Sequence, residues 1–337
     1  MIENIQELIQ NLAQKRSDER LHIFHVDIKS LDGDQLILGG RVLEQPDIEA
    51  VLDAIKKTYR SLHLDVSGIE VLRKPSNPIL AVGTNLTSMH VSASFMSEMS
   101  SQLVFGEKVE ILAEQARWAY TRQMDGYLAW TYKPYLTDAA PPAATHIVMA
   151  PVLQLYEKPT DNAAIVTRVF GGTYVNVINT SEGWAQISAN LTGWTQLTNL
   201  RALADMPKTN KQRRAQILID AQRMIGVPYL WGGTSGNGID CSGFARLLHR
   251  WVGIEISRDA DMQSAQCKRV EPPFQPGDLF FFGEGDSDRR ITHVGVSMGG
   301  WKMLHSSRSR NGVYLDDVQE KESLRSILAH AGSFLIG

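Results

Sequence analysis

Tyr229-Leu-Trp-Gly-Gly-Thr-Ser-Gly-Asn-Gly-Ile-Asp-Cys-Ser-Gly-Phe244 sets one cysteine, Cys241, where a glycine-rich loop meets an amphipathic helix. Beyond Asp240, the apolar residues Phe244, Leu247, Leu248, Trp251 and Val252 fall at helical spacing, so a helix is predicted to begin beside the cysteine with Asp240 as its N-cap. A thiol in a first helical turn faces unpaired backbone N–H groups and the positive end of the helix dipole. Both favour the thiolate, which is the attacking form.

A nucleophile needs a base. Ile291 to Met298, followed by Gly299-Gly300 and Trp301 to His305, reads as a β-hairpin carrying two histidines. An odd-length loop, Met298-Gly299-Gly300 centred on Gly299, is expected, because it opposes His293 and His305 on one face whereas a two-residue loop separates them. One imidazole then takes the proton from Cys241 while the other orients it. Cys241 and two histidines can also be drawn as a zinc set, but no fourth ligand is evident in the sequence, so a reading without metal or cofactor is preferred.

Five pieces occur in a fixed order: Tyr229 to Gly233 (Tyr-x-Trp-Gly-Gly), Asp240 to Gly243 (Asp-Cys-Ser-Gly), Pro276 to Phe281 (Pro-Gly-Asp-Leu-Phe-Phe), His293 to Gly295 (His-Val-Gly), and His305. Together they resemble the NlpC/P60 family of papain-like cell-wall cysteine peptidases. The resemblance implies a Cys241, His293, His305 triad that cleaves the γ-D-glutamyl to diamino-acid amide of peptidoglycan stem peptides. The diamino acid leaves first, and water then releases L-Ala-D-Glu from the acyl-enzyme.

The resemblance also nominates substrate contacts. Arg258 and Asp259 match the family's Arg-Asp after its first catalytic helix, where contact with the D-Glu α-carboxylate is implied; a planar guanidinium suits that task, and the alternative is a surface arginine paired with a neighbouring acid. Ser242 adds a hydroxyl to the same pocket or is simply a small first-turn residue. Tyr229 backs the thiolate, helps the Cys241 N–H hold the oxyanion, or packs in the core. In family members fused to SH3 modules, the acidic position of Asp240 helps bind the amino group of a terminal L-Ala. Glu98 in Ser97 to Leu103 and Tyr127 in Gly126 to Trp130 resemble stretches that close the far end of such sites. There a carboxylate meets an ammonium in a charge-assisted hydrogen bond. Against this, a glutamate between Ser97 and Met99 is by default a solvated loop residue.

The middle of the chain repeats itself. Val104-Phe-Gly-Glu107, Trp118, Gly126 and Trp130 lie against Val169-Phe-Gly-Gly172, Trp184, Gly193 and Trp194, at spacings of 65, 66 and 64 for the phenylalanine and the two tryptophans. Short alternating segments broken by turn residues predict small β-barrels, and the pattern resembles bacterial SH3 domains, which accompany NlpC/P60 catalytic domains. Asp138 to Ala144 reads as a linker. The first seventy-odd residues predict a separate α/β unit: a helix, strands at Leu21 to Ile28 and Gln35 to Leu38, a helix with Ile48, Val51, Leu52, Ile55 and Tyr59 buried, then strands at Leu62 to Val66 and Ile69 to Leu72. Its order is weakly similar to BON-like domains. His22 and His25 read as surface strand residues.

The expected fold is therefore multidomain α+β: a small α/β domain over 1–78, SH3-like β-barrels over 79–138 and 145–204, and a papain-like NlpC/P60 domain over 208–337. A formal net charge of −3 with 43% hydrophobic and 21% charged residues excludes a disordered chain and points away from nucleic acid. The first ten residues lack a basic start and a continuous apolar run, so no signal peptide is predicted, and no stretch is apolar enough to span a membrane. Two cysteines, with Cys267 read as a passive thiol, fit a reducing compartment, and the cytoplasm is the expected location. There the substrates would be soluble L-Ala-γ-D-Glu-diamino acid peptides from wall turnover, whose free amine would be required. Two other readings are an amidase or acyltransferase acting on a related amide, and a wall-binding SH3 scaffold with an inactive peptidase domain.

Overall fold

The computed structural model describes residues 1–284 and 290–336, which fall into two compact units: Met1–Leu80 with Lys108–Lys133, and Ala81–Glu107 with Pro134–Gly337. Among the described residues no helix is long and apolar enough to cross a membrane.

In the first unit, α1 (Ile2–Gln14) is followed by β1 (Phe24–Asp32), β2 (Gln35–Val42), α2 (Gln45–Thr58) and β3 (His63–Val71). The sheet order is β1-β2-β3, with β1 and β2 antiparallel around a turn at Gly33 and β2 joined to its parallel neighbour β3 through α2. Ile5 and Ile9 of α1 and Ile48, Val51 and Ile55 of α2 recur at helical spacing and cover Phe24, Val26, Leu36 and Leu38. The two short strands expected after α2 are one. Gly68 carries the strand onward, because a side chain there would meet the Leu38 carbonyl oxygen at 2.9 Å. His25 is exposed on β1 and His22 lies just ahead of it. An antiparallel meander of Lys108–Gln115, Trp118–Gln123 and Leu128–Tyr132 completes this unit, joined to it through Ile23, Leu43, Leu72, Leu112 and Leu128.

The repeat seen in the sequence is visible along the chain. Residues 79–137 and 146–202 carry the same succession of seven strands, each with a 3-10 turn before the last. Gly106 and Gly172 both take positive φ, 81° and 85°, and donate their N–H groups to the carbonyls of Val82 and Val148. These turns lie 66 residues apart, not 65, so the counterpart of Phe170 is Val104 and not Phe105. The strands of 146–202 form one sheet whose outer members are Ile165–Phe170 and Leu200–Ala202, and no pairing among the described residues joins those two.

The rest of the second unit sets the helices α3 (Asn210–Asp220), α4 (Cys241–Trp251) and α5 (Ala260–Gln266), and a short one at Glu322–Arg325, with a mainly antiparallel sheet. Its main strands are β4 (Leu279–Glu284), β5 (Arg290–Ser297), β6 (Lys302–Ser307), β7 (Gly312–Asp317) and β8 (Leu328–Ser333), ordered β8-β4-β5-β6-β7. Alternation along these strands separates two cores. Leu279, Phe281, Val294, Val296 and Leu304 meet Phe244, Leu247, Leu248 and Trp251 of α4, while Phe280, Phe282 and Met303 meet Phe274, Val318 and Leu324. Trp251 also donates its indole N–H to the Val148 carbonyl at 2.9 Å, tying α4 to the 146–202 sheet.

Candidate active site

Cys241 is the first residue of α4, and Asp240 is its N-cap, accepting the Gly243 N–H on Oδ1 at 2.7 Å. The cap forms because Asp240 is extended, at φ −90° and ψ −178°, and its carboxylate can turn back onto the open first turn. The helix end meets the sheet where β5 and β6 separate. Their ladder pairs Ser297 with Met303 and Val296 with Leu304. Beyond that point the Val294 N–H is directed at the Cys241 sulfur, and the Ser306 hydroxyl donates to the Ile239 carbonyl at 2.6 Å.

The hairpin has an odd loop, as expected, but one residue further along. Met298 donates to the Lys302 carbonyl, so the loop is Gly299-Gly300-Trp301, with both glycines at positive φ. His293 and His305 are therefore diagonal neighbours on one face and not directly opposed. The diagonal suits the imidazoles, whose His293 Nε2 and His305 Nδ1 lie 2.7 Å apart. The other nitrogen of His305, Nε2, lies 2.9 Å from Asp316 Oδ2. Among the hydrogen bonds of the described residues, His293 Nε2 is joined to His305 and none joins His293 to Cys241.

Burial sets the protonation of this group. It pushes the Cys241 thiol up to about 12, reinforced by the negative charge of Asp240 and only partly opposed by the Val294 N–H and Arg258. It also pushes His293 down to about 3, aided by repulsion from His305. The resting pair is thus a neutral thiol and a neutral imidazole. This corrects the expectation of a standing thiolate: the helix terminus is present, but desolvation and the adjacent carboxylate outweigh it.

Around the thiol, Arg258 is 1% exposed and fully engaged. Its Nη2 and Nη1 donate to Asp240 Oδ2 and Oδ1 at 2.6 and 3.1 Å, Nη1 also reaches the Ser242 hydroxyl at 2.9 Å, and Nε reaches the Ser101 hydroxyl at 3.1 Å. The carboxylate held by this fork is that of Asp240; the sequence reading offered Arg258 either a D-Glu carboxylate or a neighbouring acid, and Asp240 the helix cap, a substrate amine or both. Two buried opposite charges satisfy each other at this spacing. Ser242 also donates to Asp240, at 3.1 Å. Asp259 caps α5 by position and lies 3.7 Å from the Arg258 guanidinium. Tyr229 is half-buried, and its phenol is held well above its ordinary pKa by burial and then by the nearby Cys241 and Asp240. Glu98 is exposed and accepts the Trp231 indole N–H at 2.7 Å, which brings it beside the glycine loop. Tyr127 belongs to the first compact unit and is 3% exposed.

Sequence reasoning missed Asp316, Trp231, Ser101 and Gln102. Gln102 accepts the Thr234 N–H at 3.0 Å, and Thr234 donates its hydroxyl back to the Gln102 carbonyl at 3.1 Å. Asp316 was findable in principle, because β6 and β7 form a hairpin in which it is diagonal to His305. The contacts of Ser101 and Gln102 span more than 130 residues of chain and leave no local signal.

Residues 226–331 match the model of the NlpC/P60 family. The chain is 30% identical over 240 residues to a gamma-D-glutamyl-L-lysine dipeptidyl-peptidase of Bacillus subtilis, covering 66% of this chain and 79% of that one. It is 26% identical over 257 residues to dipeptidyl-peptidase 6 of Lysinibacillus sphaericus, covering 71% and 91%. The solved structure of an NlpC/P60 family protein from Bacillus cereus superposes with a TM-score of 0.67 at 18% identity, over 77% of this chain and 100% of that one. A buried cysteine on a capped helix terminus, a histidine pair on the adjoining hairpin and relatives alike over most of their length lead to one assignment: this chain belongs to the NlpC/P60 family of cysteine peptidases.

Proposed function

We propose that the protein hydrolyses the γ-D-glutamyl to L-diamino acid amide of peptidoglycan stem peptides that carry a free N-terminal L-Ala, and releases L-Ala-D-Glu. The observation that carries this reading is the Cys241 thiol on the terminus of α4 beside a hairpin whose two histidines are hydrogen-bonded to each other, in a chain whose relatives are named for cleavage at a γ-D-glutamyl-L-lysine bond. Cys241 is the nucleophile, His293 the base and His305 its orienting partner. As the sulfur bonds to the γ-carbonyl carbon, the thiol proton passes to His293. The C–N bond then breaks and the departing amine takes that proton. Water, deprotonated by His293, attacks the thioester and restores the thiol. The Cys241 N–H and the Tyr229 phenol are the proposed donors to the oxyanion.

Glu98, held by Trp231 and exposed, is the proposed partner for the L-Ala ammonium, with Asp259 and Ser242 facing the D-Glu moiety. Asp240 and Arg258 act on this pocket as a closed pair that shapes it. Residues 79–138 and 145–204 are proposed as SH3-like modules, 208–337 as the catalytic domain and 1–78 as a separate α/β domain; the shared succession of strands supports the first two. Two free thiols fit a reducing interior, and the proposed setting is recycling of soluble wall peptides in the cytoplasm.

The test is to incubate the protein with L-Ala-γ-D-Glu-diaminopimelate, its N-acetylated form and a Cys241→Ala control, and to identify products by mass. Release of L-Ala-D-Glu only from the free peptide, and only with the cysteine, is expected. Equal turnover of the acetylated peptide refutes the amine requirement, and activity in Cys241→Ala refutes the mechanism.

A further inference from the structure

The two imidazoles of the hairpin run on into a carboxylate. Asp316 stands on β7, diagonal to His305, and its oxygens have three partners: His305 Nε2 at 2.9 Å and Lys321 Nζ at 2.8 Å on Oδ2, and Arg310 Nη1 at 3.0 Å on Oδ1. We infer that Asp316 is a positioning residue for the hydrolysis: through His305 it fixes the tautomer in which His293 keeps its Nδ1 lone pair for the thiol proton. This rests on the roles proposed above for Cys241 and His293.

Counting ring protons fixes the direction of each bond in this chain. Burial disfavours the charge on Asp316, but the bonds from Lys321 and His305 outweigh it and hold the carboxyl below its ordinary range, so Asp316 is ionised and can only accept. The hydrogen in the Asp316–His305 contact therefore sits on His305 Nε2. His305 is 2% exposed, and burial holds its pKa below the ordinary value despite Asp316, so near neutral pH the ring is uncharged and carries that one proton. Its Nδ1 is then an acceptor, and across 2.7 Å it can receive only from His293 Nε2. His293, also neutral, spends its single proton there and leaves Nδ1 bare. Were His305 protonated on Nδ1 instead, His293 Nε2 would accept and its proton would occupy Nδ1, blocking transfer from sulfur. One carboxylate thus sets the polarity of two rings. When the thiol proton arrives on His293 Nδ1, the resulting imidazolium donates through Nε2 to His305, and Asp316 stabilises it without taking a proton. A purely structural role is a poor account of the residue, since its partners Arg310 and Lys321 are substantially exposed and such pairs contribute little to stability.

The experiment compares the parent protein with Asp316→Asn and Asp316→Leu in two ways. Steady-state hydrolysis of L-Ala-γ-D-Glu-diaminopimelate is expected to show kcat lower by about ten- to a hundred-fold with KM within about twofold. In parallel, two-bond proton–nitrogen correlation spectra of 15N-histidine protein in a Cys241→Ala background report the tautomer of each of the nine histidines. His305 is expected as the Nε2–H form in the parent and as a mixture, or as Nδ1–H, in Asp316→Leu. A kcat within about twofold of the parent, or an unchanged His305 tautomer in Asp316→Leu, overturns the inference. Turnover of the same peptide by Cys241→Ala would instead reject the hydrolytic reading, and the tautomer spectra would still decide what Asp316 does.

Discussion

The thiol of Cys241 is expected to be alkylated slowly, and ever faster as pH rises, with no plateau in the accessible range. The perturbation is pH alone. Burial and the Asp240 carboxylate place the thiol near 12 against an ordinary 9.0, and His293, near 3, carries no charge that would hold a thiolate beside it. Three pKa units correspond to about 4 kcal/mol and a thiolate population about a thousand-fold below that of an ordinary cysteine, roughly one molecule in 10⁵ at pH 7. The logarithm of the iodoacetamide rate constant should therefore climb with a slope of about one between pH 6 and pH 10, a rise of about 10⁴. The assay uses a Cys267→Ala background, so that the half-buried second thiol does not contribute, and follows mass addition at Cys241 by peptide mapping. A plateau below pH 8, the signature of a thiolate–imidazolium pair, would refute the reasoning that desolvation outweighs the helix terminus here.

Removing the Arg258 side chain as Arg258→Ala strands Asp240 as a buried charge at the helix cap and should cost about 3–5 kcal/mol in urea unfolding, whereas a loss under 1 kcal/mol would show the pair to be expendable. Glu98→Gln retains an oxygen for the Trp231 indole but not the charge; KM for free-amine peptides should rise about tenfold with kcat little changed, and an unaltered KM would remove Glu98 from the ammonium site. His249 is fully buried, with Nδ1 on the Ala245 carbonyl, and burial lowers it from 6.5 to about 4. Because the unfolded chain binds this proton first, its contribution to stability is present in full above pH 6.5 and is lost as pH falls toward 4, by about 3 kcal/mol. His249→Gln should flatten the pH dependence of unfolding in that window, and an unchanged slope would assign the acid sensitivity elsewhere.

What the sequence made legible was local. A cap three residues before Gly243, an apolar stripe from Phe244 to Trp251 and an odd loop between two alternating strands are short-range patterns, and each appeared within a residue of its expected place. The loop centre moved by one because Gly299 and Gly300 both supply positive φ, so the spacing alone did not say which of them turns the chain. The repeat alignment slipped by one for a similar reason, since Phe105 and Phe170 look alike in sequence while the glycine turns that define the register do not coincide with them. Charge state was the least legible property. Nothing in Asp240 to Gly243 reveals that Arg258 will close on Asp240 from across the site, or how deeply the sulfur is set among apolar neighbours.

Gly171 and Gly172 bear on how such chains are reshuffled. A methyl group on Gly171 would strike the Trp251 ring at 2.9 Å, and one on Gly172 would strike Leu247 at 2.8 Å, while Val148 receives the indole proton. The last β-rich segment before α3 is thus moulded to the helix that bears the thiol, so it is no interchangeable cassette. Chimeras that swap it would inherit a misfit under the nucleophile unless the donor also offers bare backbone at both positions, and a chain trimmed to residues 208–337 would lose the carbonyl that accepts the Trp251 indole N–H.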